Sequence, residues 1–342
     1  MRPADVGNRP RWPSRGGFFE IWFLVVFDPS AARAWWLRYT LFAPADPKAG
    51  SARATLWAAA FDARSMPQAI AGKRILRLDE YASAPDPFAV RLGTSSIESD
   101  AATGEMRTER HSFAWELRWT APRAPARRGP PWLEHVPAPT RVAHLGGDLR
   151  CSGWFAVDGR RHAIDDAPGL QKHIWGTRRV AELYWLACPS FAEDAAASFE
   201  ATSVRVDVGR GPRLSPVWLR THAGEVSFFG VPGLFRRRVE PDGLGRLVVR
   251  ARSSTHRLVA RAHCDPASLI GFVYRDPSGW DAYVAQSDVA SCEVAVETRR
   301  HRLASFGAPV RLSATHAAAI EFHQPEPLPG VRYIPWDGVD PS

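Results

Sequence analysis

Apolar and polar residues alternate with period two along most of this chain. From His111 to Trp119 the residues Phe113, Trp115, Leu117 and Trp119 fall on one face, the pattern of a strand with one buried side. The same alternation predicts strands over 54–61, 75–78, 199–208, 217–221, 225–229, 247–251, 257–263, 269–274, 280–286 and 292–297. Near the start, two aromatic-rich apolar runs, 18–27 and 34–42, are parted by Asp28-Pro29-Ser30 and predict a hairpin. Start and stop signals mark no helix longer than about three turns. The expected fold class is all-β.

Short turns join these strands. Val157-Asp158-Gly159-Arg160, Glu240-Pro241-Asp242-Gly243, His222-Ala223-Gly224 and Asp276-Pro277-Ser278-Gly279 each place glycine where a positive φ is wanted. Neighbouring strands then pair antiparallel, and long meanders remove their edges by closing into barrels with room for one small ligand. A chain of 342 residues exceeds the size that one core usually serves, so two consecutive antiparallel barrels are expected. Residues 1–16 read as a disordered arm, 17–187 as the first barrel and 188–342 as the second. The border is placed to within about fifteen residues, because the second strand-rich block begins near Ala187. The segment from Ala121 to Thr140, with six prolines and three arginines, is expected to be a loop or surface crossing.

The arginines of the first fifteen residues, followed by an apolar run, have the outline of a secretion signal. Glu20 inside that run and its β-branched and aromatic content favour a strand instead, and with it a cytoplasmic protein. No run reaches the ~20 apolar residues needed to span a bilayer.

Composition narrows the function. With 45% hydrophobic and 23% charged residues the chain is ordinary globular material, while 14 Trp and 17 Phe supply the rigid apolar surfaces that line pockets for hydrophobic small molecules. The net charge of +8 invites nucleic acid as a partner, but 41 of the 44 basic residues are arginines scattered at strand spacing, not gathered into a phosphate footprint. Nucleic acid is therefore not expected, and weak attraction to an anionic membrane surface is the only charge-driven contact foreseen. The four cysteines form no CxxC pair, so neither zinc nor thiol redox chemistry is indicated. His162, Asp165 and His173 have metal-binding side chains at a spacing that matches no standard site, so no metal is expected. Dinucleotide, nucleotide, zincin and α/β-hydrolase motifs are missing, and no cofactor is implied.

The least ordinary stretch is 164–176, Ile-Asp-Asp-Ala-Pro-Gly-Leu-Gln-Lys-His-Ile-Trp-Gly. It gathers two carboxylates, Gln171, His173 and Trp175 around a Pro-Gly turn, beside the aromatic strand that carries Tyr184 and Trp185. His173 and Trp175, two apart on a strand, share one face. They either place a proton donor beside a wall that stabilises positive charge, or His173 bonds neighbouring backbone while Trp175 fills core.

The residues Phe19-Glu20-Ile21-Trp22-Phe23, Trp36 to Pro44, His173-Ile174-Trp175-Gly176 and Asp276-Pro277-Ser278-Gly279 together resemble a group of tandem lipocalin-like proteins. That group is related to carotenoid 1,2-hydratases (hydroxyneurosporene synthases) and more distantly to tocopherol cyclases. The resemblance implies two lipocalin-like barrels and action on an isolated carbon–carbon double bond by a His-x-Trp pair and a later aromatic-and-acid pair. The first matches His173 and Trp175. For the second, the closest segment is Ser198-Phe199-Glu200-Ala201, where Phe replaces the family's Tyr and the acid is adjacent to it.

Glu200 interrupts an alternating strand, so it either faces solvent or is a buried acid able to protonate an alkene. In the second case His173 orients it or a water, and Trp175, Tyr184 or Trp185 hold the cation. Gln171, Glu20 and Trp22 complete the expected binding residues, with Glu20 either a pocket acid or the partner of a buried arginine such as Arg38. Three functions follow: a hydratase, isomerase or cyclase on an isoprenoid- or polyketide-like molecule; a carrier of such a molecule; and a structural or stress-linked protein.

Overall fold

The computed structural model describes residues 3–121, 138–207, 211, 213–229 and 236–335. Most of the expected proline-rich loop, 122–137, lies outside them. Among the described residues the chain is all-β apart from a short helix, Pro3–Asn8, and single 3-10 turns.

Eleven strands build the first sheet. They are β1 Phe18–Asp28, β2 Arg33–Ala43, β3 Arg53–Asp62, β4 Ala69–Arg77, β5 Tyr81–Pro85, β6 Phe88–Leu92, β7 Ser95–Glu98, β8 Ala101–Arg107, β9 Ser112–Thr120, β10 Thr140–Val157 and β11 Arg160–Gly176. Their order is β4-β3-β2-β1-β11-β10-β9-β8-β7-β6-β5. The two edge strands are thus consecutive in the chain, joined only by the turn Leu78–Glu80. A flat sheet of this width would hold its edges roughly 48 Å apart at ~4.8 Å per strand, whereas three residues span about 10 Å. The sheet must therefore curl on itself.

The second sheet repeats the plan with β12 Glu182–Cys188, β13 Ser198–Arg205, β14 Val217–Thr221, β15 Gly224–Phe228, β16 Arg237–Pro241, β17 Arg246–Arg252 and β18 His256–His263. It is completed by β19 Ile270–Arg275, β20 Asp281–Thr298, β21 Val310–Gln324 and β22 Tyr333–Ile334. Its main path runs β15-β14-β13-β12-β21-β20-β18-β17-β16, again with consecutive strands at the two edges, and β19 pairs with β20 and β22. In each half the first strand lies beside the last long one, β1 on β11 and β12 on β21. Both halves are antiparallel barrels of the lipocalin-like kind. The second sheet starts at Glu182.

Alternation sorts the side chains into three cores. Trp22, Leu24, Trp35, Tyr39, Trp115 and Phe155 fill the first barrel, and Tyr184, Leu186, Phe199, Leu247 and Ile320 fill the second. The opposite faces of the same strands meet between the barrels, where Phe19, Ile21, Phe23, Trp36 and Trp57 pack with Trp185, Phe272 and Tyr274. Trp36 lies 5.0 Å and Trp57 5.7 Å from Phe272, ring centre to ring centre. The interiors of the barrels are packed, so the expectation of a pocket within a barrel gives way to one between the two.

Two local expectations are corrected. The arm expected to be disordered through residue 16 instead docks on the first barrel. Asn8 is fully buried, the Trp22 indole donates to its carbonyl at 2.9 Å, and the Arg11 and Trp12 amides donate to Glu20. Glu20 and Trp22 point inward at this end of the barrel and supply the polar anchors that a sequence of arginines and prolines does not reveal. Pro168-Gly169 is not a turn either, since it lies within the 17-residue strand β11. Gly169 allows a close approach there: a Cβ on it would lie 2.9 Å from the Val25 carbonyl oxygen.

Candidate functional site

A cavity of about 290 Å³ opens between the barrels and is lined from both. On β1 and β2 the side chains at 19, 21, 23, 36 and 38 face it, and on β11 those of Lys172 and Ile174. From the second barrel come Leu183 and Trp185 on β12, Glu200 and Thr202 on β13, and Glu321 and His323 on β21. Arg179 enters from the segment joining the barrels, and Tyr274 from β19. Apolar walls thus enclose a few polar groups, the usual make-up of a small-molecule site.

Glu200 is buried at 6% exposure. Its Oε1 accepts the Trp185 indole N–H at 3.1 Å and the Lys172 ammonium, and His144 Nδ1 lies 3.5 Å away. The Lys172 ammonium also sits 4.2 Å over the Trp185 ring. Two strands from different barrels thereby share one buried ion pair.

A second cluster surrounds Tyr274. Arg38 stacks on its ring at 3.7 Å and Arg179 lies 5.3 Å from it. Arg179 is held by its backbone N–H to Asp276 Oδ2 at 2.5 Å and by Nε to the Arg275 carbonyl at 2.9 Å. Burial lowers the Arg38 guanidinium from its ordinary value, and burial together with neighbouring Arg38 pushes Arg179 down to about 9. Burial likewise raises Glu321 to about 7, against the pull of Arg38, Lys172 and Arg179. His323 is driven down to about 3 by burial and then by the two arginines, so its imidazole is neutral. Nearby Asp288 is also raised to about 7 by burial, although Gln286 donates to both its oxygens at 2.9 Å. A carboxyl group poised near neutrality inside an apolar cavity can act as acid or base.

Of the residues singled out in the sequence, Glu200 and Trp185 line this cavity together. Gln171 lies just behind, bordering a void of about 10 Å³ that Lys172 and Glu200 also border. His173 and Trp175 do share a face, but it is the opposite one. On β11 the even-numbered residues 172 and 174 reach the cavity, so 171, 173 and 175 turn away from it. His173 is fully buried, stacked between Trp22 at 4.7 Å and Trp175 at 4.6 Å. Its Nε2 meets Glu20 Oε1 at 2.8 Å and its Nδ1 the Gly7 carbonyl, also at 2.8 Å. Glu20 is therefore the partner of His173, not of Arg38, and the two form the anchor for the N-terminal segment. Arg11 covers the outer face of Trp175 at 5.3 Å. Tyr184 is one residue from Trp185 and so points into the second barrel.

Several cavity groups escaped the sequence reading, Lys172, Tyr274, Arg179, Glu321 and His323 among them. Glu321 and His323 lie on β21, whose alternation in Ala318-Ala319-Ile320-Glu321-Phe322-His323 is blurred by alanines. The available signal was the same as at Glu200, an acid flanked by apolar residues on a strand. Arg179 sits outside any strand, and nothing local in the sequence marks it.

No family model matches this chain, and no curated protein matches it. Solved structures do. A crystal structure of an AttH candidate from Nitrosomonas europaea superposes with a TM-score of 0.52 over 94% of this chain and 99% of that one, at 12% identity. Kievitone hydratase from Nectria haematococca matches at 0.51, covering 93% of this chain and 91% of its own, at 10% identity. CghA matches at 0.51 over 94% and 95%, also at 10% identity. The shared feature is the fold. Like these proteins, the chain carries tandem lipocalin-like barrels over nearly its whole length, and among the described residues no helix is long and apolar enough to cross a membrane.

Proposed function

We propose that this protein binds a hydrophobic, isoprenoid- or polyketide-like small molecule between its two barrels and adds a proton to a carbon–carbon double bond in it. The observation that carries the reading is Glu321, a half-buried carboxyl on the cavity wall raised to about 7 by desolvation, in the same apolar cavity as the Lys172–Glu200 pair. Glu321 in its neutral form supplies the proton. Glu200, held as a carboxylate by Lys172 and the Trp185 indole, is the base that takes a proton from an incoming water or from the adjacent carbon. Water addition gives hydration, proton loss isomerisation, and attack by a second double bond cyclisation.

Hydration stands first among these, because a structural neighbour bears the name kievitone hydratase and the acid and the base arise from different strands around one space. Any closer kinship with carotenoid 1,2-hydratases or tocopherol cyclases belongs to this proposal too. Trp185 serves here as a hydrogen-bond donor to Glu200, since its ring face is occupied by Lys172.

The test is extraction of the protein purified from its own host, followed by mass spectrometry of the bound molecule before and after incubation. Conversion by the unaltered protein, reduced about 10²-fold or more in Glu321→Gln with binding retained, is the expected result. A molecule recovered unchanged from both forms makes the protein a carrier.

A further inference from the structure

The two arginines at Tyr274 are only partly satisfied. Arg38 Nε donates to Thr40 Oγ1 at 3.1 Å, and Arg179 Nε donates to the Arg275 carbonyl. The Nη2 atom of each is buried and has no hydrogen-bond partner among the described residues. Arg38 is 4% exposed, Arg179 5%, and both line the cavity. A buried guanidinium left with an unmet donor costs free energy that a folded protein normally avoids. Here two such donors flank the same phenol ring.

The charges around them do not balance. Lys172 is paired with Glu200, so Arg38 and Arg179 are left chiefly with Glu321 and Asp276. Asp276 accepts the Arg179 backbone amide on Oδ2 and the Ser278 amide and hydroxyl on Oδ1. Burial keeps Glu321 partly protonated near neutral pH. The Tyr274 end of the cavity therefore carries excess positive charge within apolar walls.

Building on the function proposed above, we infer that the natural ligand is an amphipathic acid whose apolar body fills the cavity and whose carboxylate accepts hydrogen bonds from Nη2 of Arg38 and Nη2 of Arg179. Guanidinium groups suit this task because their planar N–H donors match carboxylate geometry and stay charged when buried. The carboxylate meets both unmet donors and cancels the excess charge. It also fixes which end of the molecule lies away from Tyr274, toward Glu200 and Trp185. Arg38 and Arg179 are thus specificity-determining residues and take no part in proton transfer.

The test compares decanoate, decan-1-ol and methyl decanoate as probes, titrated calorimetrically into the full-length protein at pH 6, where the acid probe is ionised and Glu321 still holds its proton. Decanoate is expected to bind at least tenfold more tightly than either neutral probe. In Arg38→Gln and Arg179→Gln that preference is expected to shrink to about twofold, the affinity for decanoate falling more than that for decan-1-ol. If the three probes bind the unaltered protein equally, the inference is wrong while the hydrophobic site stands. If none binds, the proposed function fails and the inference with it. A preference that survives intact in the folded double variant Arg38→Gln/Arg179→Gln places the carboxylate elsewhere and overturns the assignment. Should the glutamine variants not fold, the probe series on the unaltered protein decides, and Arg38→Lys and Arg179→Lys, which keep the charge and lose the fork, are expected to give an intermediate preference.

Discussion

Lys172 of the first barrel and Glu200 of the second form an ion pair buried between them, with the Trp185 indole donating to the same carboxylate oxygen at 3.1 Å. Removing one member leaves the other charged and desolvated, a loss of about 3–5 kcal/mol in comparable buried pairs. Lys172→Met and Glu200→Gln are each expected to lower stability by about 3 kcal/mol. The double variant should lose clearly less than their sum, and a double-mutant cycle from urea denaturation measures the difference.

Protonation of the cavity affects folding from two sides. Glu321 rises from 4.5 to about 7, so the folded state holds a proton that the unfolded chain has released, and stability falls as pH rises from about 4.5 to 7. Asp288 acts in the same direction from 3.8 upward. His323 falls from 6.5 to about 3, so the unfolded chain takes up a proton first, and stability falls as pH drops from 6.5 toward 3. Urea midpoints between pH 4 and 8 check this. Relative to the unaltered protein, Glu321→Gln should gain stability as pH rises across its window, and His323→Gln should gain it as pH drops.

His173 is predicted to matter for stability and not for the ligand. His173→Ala removes one of the partners of buried Glu20, which keeps the Arg11 and Trp12 amides, and frees the Gly7 carbonyl, at a cost of about 1–3 kcal/mol. Probe affinity in the same variant should stay within twofold, because no atom of His173 reaches the cavity wall. A loss of ligand binding in a variant that still melts cooperatively would contradict this placement.

Gly169→Ala tests how tightly β1 and β11 meet. The new methyl would lie 2.6 Å from Cys151 Sγ and 2.9 Å from the Val25 carbonyl oxygen, and the backbone cannot step aside as a side chain does. Thermal unfolding should report a loss of about 1–3 kcal/mol, the usual range for an overpacked core.

The strands were legible where alternation is strong. The hairpin of β1 and β2, the aromatic strand β9 and the four glycine turns all appear at their expected places. The long strands β10 and β21 were not foreseen, and β11 only around His173 and Trp175, because bulges shift their register and glycine, proline or alanine dilutes the pattern. The site was half legible. Glu200 betrayed itself as an acid on an apolar strand, but a sequence gives the two faces of a strand and not which face meets the other barrel. His173 and Trp175 were grouped correctly and assigned to the wrong side for that reason.

Each barrel has its own filled core, and the cavity is the gap left where they touch. Its dimensions are therefore set by how the two barrels abut, not by how either is packed inside. A slight rolling of one barrel over the aromatic seam at Trp36, Trp57 and Phe272 would reshape the space without disturbing a single interior contact. Divergence of such a chain toward new ligands can proceed at the seam while the stability of both halves is conserved.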